Sequence, residues 1–366
     1  MKSVGRRTKH LRTLLGSVAH SRSLFVCSHC RGSRIPADEQ LDTVHTGFSP
    51  GVRRRIARAA SRGSFLEAEK DLWIDSLIRA GRRDIERISE QIGREIDAWR
   101  ARKTMEPPAQ VGTLYISFDG TQVPIRKKEL QGRKGKQADG SAKGREAKIG
   151  CVFTQTHVTP EGFPLRDEAS TTYVGGIESS TFFGERIYRE ALDRGLDNAQ
   201  RVVVLTDGAA YNKTISQTHF PAAVHIIDLY HAREHLHDLV HLLRPPEGQP
   251  RCLERWTKIL DQGDISLLLT EARNLLPRSG SRRKEALKQI GYFHRNAQHM
   301  RYACFRSHNL FVGSGVVEAA CRSIVGRRLK QPGMFWSVRG SHAILQLRSC
   351  ILSDRFDDYW EVRTAS

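Results

Sequence analysis

The chain has 366 residues, enough for two or three domains and for a buried core that needs no disulfide or metal staple. Lys and Arg outnumber Asp and Glu by 59 to 40, a formal charge of +19 with a pI near 10.0, so the expected partner is a polyanion, nucleic acid first. There is no apolar run of about 18 residues or more, no clean basic amphipathic helix, and the early apolar stretch is broken by His20, Ser21, Arg22 and Ser23, which argues against a membrane partner and a secretory signal.

Seven scattered cysteines, an odd number, fit a reducing compartment, and a cytoplasmic location is expected. Residues 1–48 combine basic residues, two short apolar runs and Cys27-Ser28-His29-Cys30, a partial zinc-ribbon-like module of small β-structure with one metal knuckle. Tetrahedral Zn²⁺ takes four ligands, only Cys27 and Cys30 form a spaced pair, and His10 or His20 fit the spacing poorly, so the zinc site is expected to be incomplete.

Residues 49–106 read as helical. Phe65, Ala68, Leu72, Ile74, Leu77 and Ile78 recur at helical spacing, Gly81 supplies a stop, and a second helix from Asp84 to about Trp99 carries Ile85, Ile88, Ile92 and Ile96 on one face. The pair is helix-turn-helix-like, a DNA-binding geometry that is also that of an ordinary αα-hairpin.

Pro107 and Pro108 mark a linker, after which the period becomes that of strands. TLYISFDGTQVPI and KIGCVFTQT read as two strands joined by a basic, Gly-rich loop, with a third strand near ASTTYVGG. Ser179 or Ser180 then caps a helix expected to bury Phe182, Phe183, Ile187 and Leu192. RVVVLTDGAAYN and AAVHIIDLYHAREHLHDLV each read as strand then helix, giving βββαβαβα over residues 109–243. That is the order of an α/β, ribonuclease H-like mixed sheet. Residues 244–312 read as a helical insertion, and residues 313–366 as the end of the same catalytic domain, opening on a helix with Val317, Ala320, Cys321 and Ile324 in one stripe.

Asp119 and Asp207 each end an apolar strand and precede a glycine, where solvated side chains gather at a sheet edge. An acid there also serves as a helix cap or turn residue, and Glu318 with Arg322 four residues on is also an ordinary surface ion pair. Three carboxylates from separate elements are, however, what hard divalent cations take in phosphodiester chemistry.

SFDGTQVP, VVVLTDGAAYN, IIDLYHAREHL and GSGVVEAACRSIVGRRLKQPGMFWSVRGSHAILQLR, in that order and spanning most of the chain, resemble bacterial insertion-sequence transposases of the ISKra family. The resemblance implies a DDE transposase in which Asp119, Asp207 and Glu318 hold two Mg²⁺ or Mn²⁺ ions, with the helical insertion lying between the second Asp and the Glu. Asp228 and His231 match the family's D-x-x-H position, as supports for water or substrate, or equally as a helix cap and a packing histidine. The resembling proteins carry an earlier cysteine pair, so the chain is expected to begin within that module. Partners implied are transposon ends and target DNA, at the nucleoid, with the protein acting as a homo-oligomer on DNA.

The loop 126–148 holds nine Lys or Arg against Glu129, Asp139 and Glu146, and Lys127, Lys128, Arg133 and Lys134 are its candidate phosphate contacts; a solvated hairpin tip has the same composition. Arg322, Arg327, Arg328 and Lys330 follow Glu318 closely, with Trp336 either stacking on an extruded base or filling a core. Two rival functions use the same features: a ribonuclease H-like nuclease that cuts without joining, and a truncated copy that only binds DNA.

Overall fold

The computed structural model describes residues 1–103, 106–135, 137 and 140–365; Asp139 of the basic loop lies outside them. In chain order the elements begin with β1 (Lys2–Thr13), β2 (Gly16–Val26), β3 (Ser33–Arg34), α1 (Pro36–Gln40), α2 (Pro50–Arg62), α3 (Phe65–Ser76) and α4 (Arg82–Arg102). Then come β4 (Val111–Pro124), β5 (Gly144–Gln155), the two-residue strands β6 (His157–Val158) and β7 (Pro164–Leu165), β8 (Thr172–Gly176), α5 (Ser180–Asp193), β9 (Ala199–Thr206), α6 (Ala210–His219), β10 (Val224–Ile227) and α7 (Leu229–Leu243). Helices complete the chain: α8 (Gln249–Gln262), α9 (Ile265–Asn274), α10 (Ser281–Asn296), α11 (Tyr302–Ser307), α12 (Gly315–Ala320), a π-helical turn at Cys321–Gly326, α13 (Arg327–Leu329), α14 (Val338–Leu352) and α15 (Phe356–Ala365). Two compact units result, one made of Met1–Lys103, Val123–Arg145 and Ser323–Ser366, the other of Thr104–Gln122 and Glu146–Arg322.

The second unit is built on a five-stranded sheet in the order β10-β9-β4-β5-β8. β9 pairs in parallel with both β4 and β10, whereas β5 and β8 run antiparallel, so the sheet is mixed, as a ribonuclease H-like fold requires. Side chains alternate across a strand, and β4 shows it: Leu114, Ile116 and Phe118 join Phe183, Ile187 and Ile215 of α5 and α6 on one face. Tyr115 on the opposite face joins Val203 and Leu205 of β9 and the apolar sides of α7 to α11, including Leu236, Trp256, Leu268 and Phe293. Both faces are thus covered by helices, which is why β9 reads as a continuous apolar run. The helical insertion is part of this second layer.

In the first unit β1, β2 and β3 form an antiparallel sheet. The Ser49 hydroxyl caps α2, and Ser64 with Glu67 closes a capping box on α3. Three sequence expectations are corrected here. Gly81 does not stop α3: Leu77, in the left-handed region at φ 53°, ends it, and Gly81 is the N-cap of α4. Phe182 is exposed, because Ser179 caps α5 through the Phe182 amide and the first turn faces outward. Residues 313–366 are not one segment of the sheet-bearing unit, since Ser323–Ser366 belongs to the first unit. The reason is α14, which is buried nearly all round and so needs neighbours on every side; α2 and α4 supply them.

Candidate active site

Asp119 and Asp207 reach the same place through strand register. Eighty-eight residues separate them, and the same 88 separate Ser117 of β4 from its pairing partner Leu205 on β9, so the two acids extend one in-register pairing. Both lie an even number of residues beyond Tyr115 and Val203, on the face covered by α7 to α11. The site therefore forms at the carboxyl ends of adjacent parallel strands, where α/β sheets place ligands. Glu318 comes from α12. A cleft of about 270 Å³ carries all three acids in its wall, together with Tyr230, His231 and Ser314.

Each carboxylate is held by its own neighbours. The Gly120 amide donates to Asp119 Oδ1 at 2.6 Å, and the Cys321 thiol approaches Oδ2 at 3.9 Å. Asp207 Oδ1 accepts from the Ala209 amide at 2.9 Å and from Asn212 Nδ2 at 2.6 Å, while the Tyr292 hydroxyl donates to its backbone carbonyl at 3.2 Å. The Ser314 hydroxyl donates to Glu318 Oε1 at 3.0 Å.

Two glycines make this possible. Gly208 sits at φ +83° with Ile227 packed against the place a side chain would occupy, and a Cβ at Gly120 would lie 2.5 Å from Glu146 Oε1.

Burial raises the Asp119 carboxyl above the usual carboxylate range; the negative charges of Asp207 and Glu318 add to it, against the Gly120 amide and His231. The Tyr211 phenol is pushed up by burial first and then by Glu146, Asp207 and Asp119. Concentrated negative charge of this kind, with hard oxygen donors, suits a divalent cation by donor type. Among the described residues, no three His, Cys, Asp or Glu side chains already stand together as a closed ligand set, which holds for these acids and for the Cys27–Cys30 knuckle alike. The knuckle is a tight turn in which the Cys27 carbonyl accepts from the Arg31 amide and the Cys27 amide donates to the Gly32 carbonyl.

The remaining candidates separate. His231 lines the cleft, half-exposed, with Nδ1 3.1 Å from Glu234 Oε2. Asp228 is 1% exposed and caps α7, accepting from the His231 amide at 2.6 Å and from the Ser314 amide, so of its two readings the cap is the one seen. Lys127, Lys128, Arg133, Lys134, Arg322, Arg327 and Lys330 are exposed.

Arg328 and Trp336 are corrected as DNA contacts: they are 0% and 6% exposed. The Arg328 guanidinium lies between the rings of Phe65 and Trp336, at 4.6 and 4.8 Å, its Nε donates to the Ala60 carbonyl, and the Trp336 indole donates to the Leu329 carbonyl. Neither ring face is open to a base.

Sequence reasoning missed Asn212, Ser314 and Tyr292. Asn212 and Ser314 lie inside quoted motifs, TDGAAYN and GSGVVE, and their distance from an acid was the available signal. Tyr292 comes from α10 and has no local signal.

No family model matches the chain, and no curated protein matches it. Among solved structures the chain is similar to a chain of the Drosophila P element transposase strand transfer complex, with 10% identity, 90% of this chain and 84% of that chain covered, and a TM-score of 0.28. A likeness at that score carries no argument about the site, and the reading below stands on the residues themselves.

Proposed function

We propose that the chain is a DDE-type DNA transposase on a ribonuclease H-like core, with Asp119, Asp207 and Glu318 as its acids. One observation carries this: three carboxylates from β4, the β9–α6 turn and α12 line a single cleft at the carboxyl edge of a mixed sheet. The ordered motifs that resemble ISKra transposases and the charge of +19 support it.

The reaction is the cutting of a phosphodiester at an element end and in-line attack of the freed 3′ hydroxyl on target DNA, one P–O bond forming as another breaks. Mg²⁺ or Mn²⁺, two ions in this chemistry, supplies activation of the attacking oxygen and stabilisation of the departing one when bound, and Asp119, Asp207 and Glu318 would hold it.

The rest is the chain's own work. Asn212 and the Ala209 amide fix the Asp207 carboxylate, Ser314 orients Glu318, and the Gly120 amide holds Asp119. His231 stands in the cleft wall, where it orients a phosphate or a water. The exposed cations Lys127, Lys128, Arg133, Lys134, Arg322, Arg327 and Lys330 meet the DNA backbone, and the protein works as an oligomer on paired ends.

The test is a strand-transfer assay with the flanking DNA and a supercoiled target, comparing Mg²⁺ with EDTA and the intact chain with Asp207→Asn. Joined products that need both the metal and Asp207 are expected, with the loss at Asp207→Asn on the order of 1,000-fold or more. Joining that survives the substitution removes Asp207 from the site. Metal-dependent cutting without joining would make the protein a nuclease.

A further inference from the structure

β1 and β2 pair from Lys2↔Val26 to Thr13↔Gly16, a ribbon about 40 Å long at 3.4 Å per residue. Alternation sets Arg6, Thr8, His10 and Arg12 on one face, and their partners across the ribbon are Ser23, Ser21, Ala19 and Ser17. This is the open face: Arg6, Thr8, His10 and Arg12 are exposed, while Lys9, Leu11 and Thr13 on the other face are half-buried. There Lys9 and Arg22 are already neutralised by Asp38, at 3.3 and 2.6 Å. Among the described residues, Arg6 and Arg12 of the open face make no ion pair with a carboxylate. The Arg12 end leads into a groove of about 870 Å³ whose wall includes His10, Arg34 and Arg87.

The chemistry of the face selects its occupant. Basic side chains recur every second or fourth residue on β1, and a two-residue step of about 6.8 Å equals two axial steps of one DNA strand. β2 contributes only hydroxyls and a methyl group there, so the ribbon backbone can approach a phosphate closely. A B-DNA major groove, about 12 Å wide, admits a two-stranded ribbon. A second copy of the chain is a poor occupant, because β1 is the edge strand and edge-to-edge pairing of two β1 strands would bring Arg and Lys against each other.

We propose that the open face of the β1–β2 ribbon docks on duplex DNA, with Arg6 and Arg12 on phosphates and the Ser17, Ser21 and Ser23 hydroxyls beside them. The choice of DNA rests on the transposase reading; the surface itself does not depend on the three acids.

The experiment measures the affinity of the full chain for a short random-sequence duplex by fluorescence anisotropy over a range of salt. It compares the intact chain with Arg6→Glu/Thr8→Glu, and with Ser281→Glu/Lys284→Glu on α10 as an equal charge change elsewhere. The ribbon variant is expected to bind roughly tenfold more weakly, with the slope of log K against log salt reduced by about 0.9 for each phosphate the chain no longer neutralises, and the α10 variant to weaken much less. Equal weakening in the two variants, or an unchanged slope in the ribbon variant, overturns the proposal. Arg6→Gln, which adds no like-charge repulsion within the ribbon, must show the same direction, and circular dichroism confirms folding. An intact chain that joins DNA ends while the ribbon variant binds normally sinks the ribbon alone. An intact chain that binds through the ribbon but joins nothing sinks the transposase reading alone.

Discussion

Asp228 shows how a motif residue serves a site without standing in it. Its Oδ1 caps α7 through the His231 amide, its Oδ2 accepts the Ser314 amide, and beside it the Leu229 amide donates to the Val312 carbonyl. One buried carboxylate thereby ties the β10–α7 corner to the loop that delivers Ser314 and Glu318. Asp228→Asn keeps the shape but turns one acceptor into a donor, leaving a buried amide unsatisfied. That costs about 1–3 kcal/mol, so the urea midpoint should fall by the equivalent of about 2 kcal/mol, and end joining should slow because Glu318 loses its anchor. Duplex affinity should hold. A variant as stable as the parent but equally slow would instead make Asp228 a direct participant in the reaction.

At the scale of elements, α4 and α14 touch through a glycine. A Cβ at Gly93 would lie 2.1 Å from the Ala343 carbonyl oxygen, a backbone atom that moves only if a helix moves. Gly93→Ala sets two effects against each other. Helix propensity favours alanine by about 1 kcal/mol, whereas overpacking a close helix contact costs about 1–3 kcal/mol and more when backbone must shift. The clash should win, with a net loss of about 1–2 kcal/mol by thermal or urea unfolding; a stabilised variant would show that the helices separate freely.

Much of this architecture was legible in advance. The βββαβαβα order follows from changes of period, and the Asp119–Asp207 pairing was present as an interval, since that interval equals the β4–β9 register. What the sequence could not disclose depends on partners distant in the chain. Trp336 and Arg328 sit in a cationic, aromatic-rich stretch that reads equally as a DNA face, and only Phe65 and the Ala60 carbonyl, far upstream, turn them inward. The division after Arg322 was hidden for the same reason, because Glu318 and α14 lie on one continuous helical pattern whose two halves pack in different units.

For the whole molecule, acid should be destabilising before any carboxylate titrates. Burial lowers His219, His235 and His299 below the usual histidine value; nearby His231 and His225 push the last two further down, while Glu185 and the Gln289 hydrogen bond act the other way. A base whose folded value is depressed protonates first in the unfolded chain. The stability it contributes is complete above about pH 6.5 and is lost as pH falls through the lowered folded values. Protonation of the 15 histidines also adds positive charge to a chain already at +19, so self-repulsion predicts a loss of the same sign. Salt separates the two causes. The Debye length shrinks from about 10 Å at 0.1 M to about 3 Å at 1 M, which screens repulsion between surface charges but not the desolvation of a buried imidazole. Urea midpoints between about pH 7.5 and 5.5 should therefore fall in both salts, with most of the fall surviving at 1 M. A fall confined to low salt would assign the acid sensitivity to net charge, and DNA binding would then be expected to remove it.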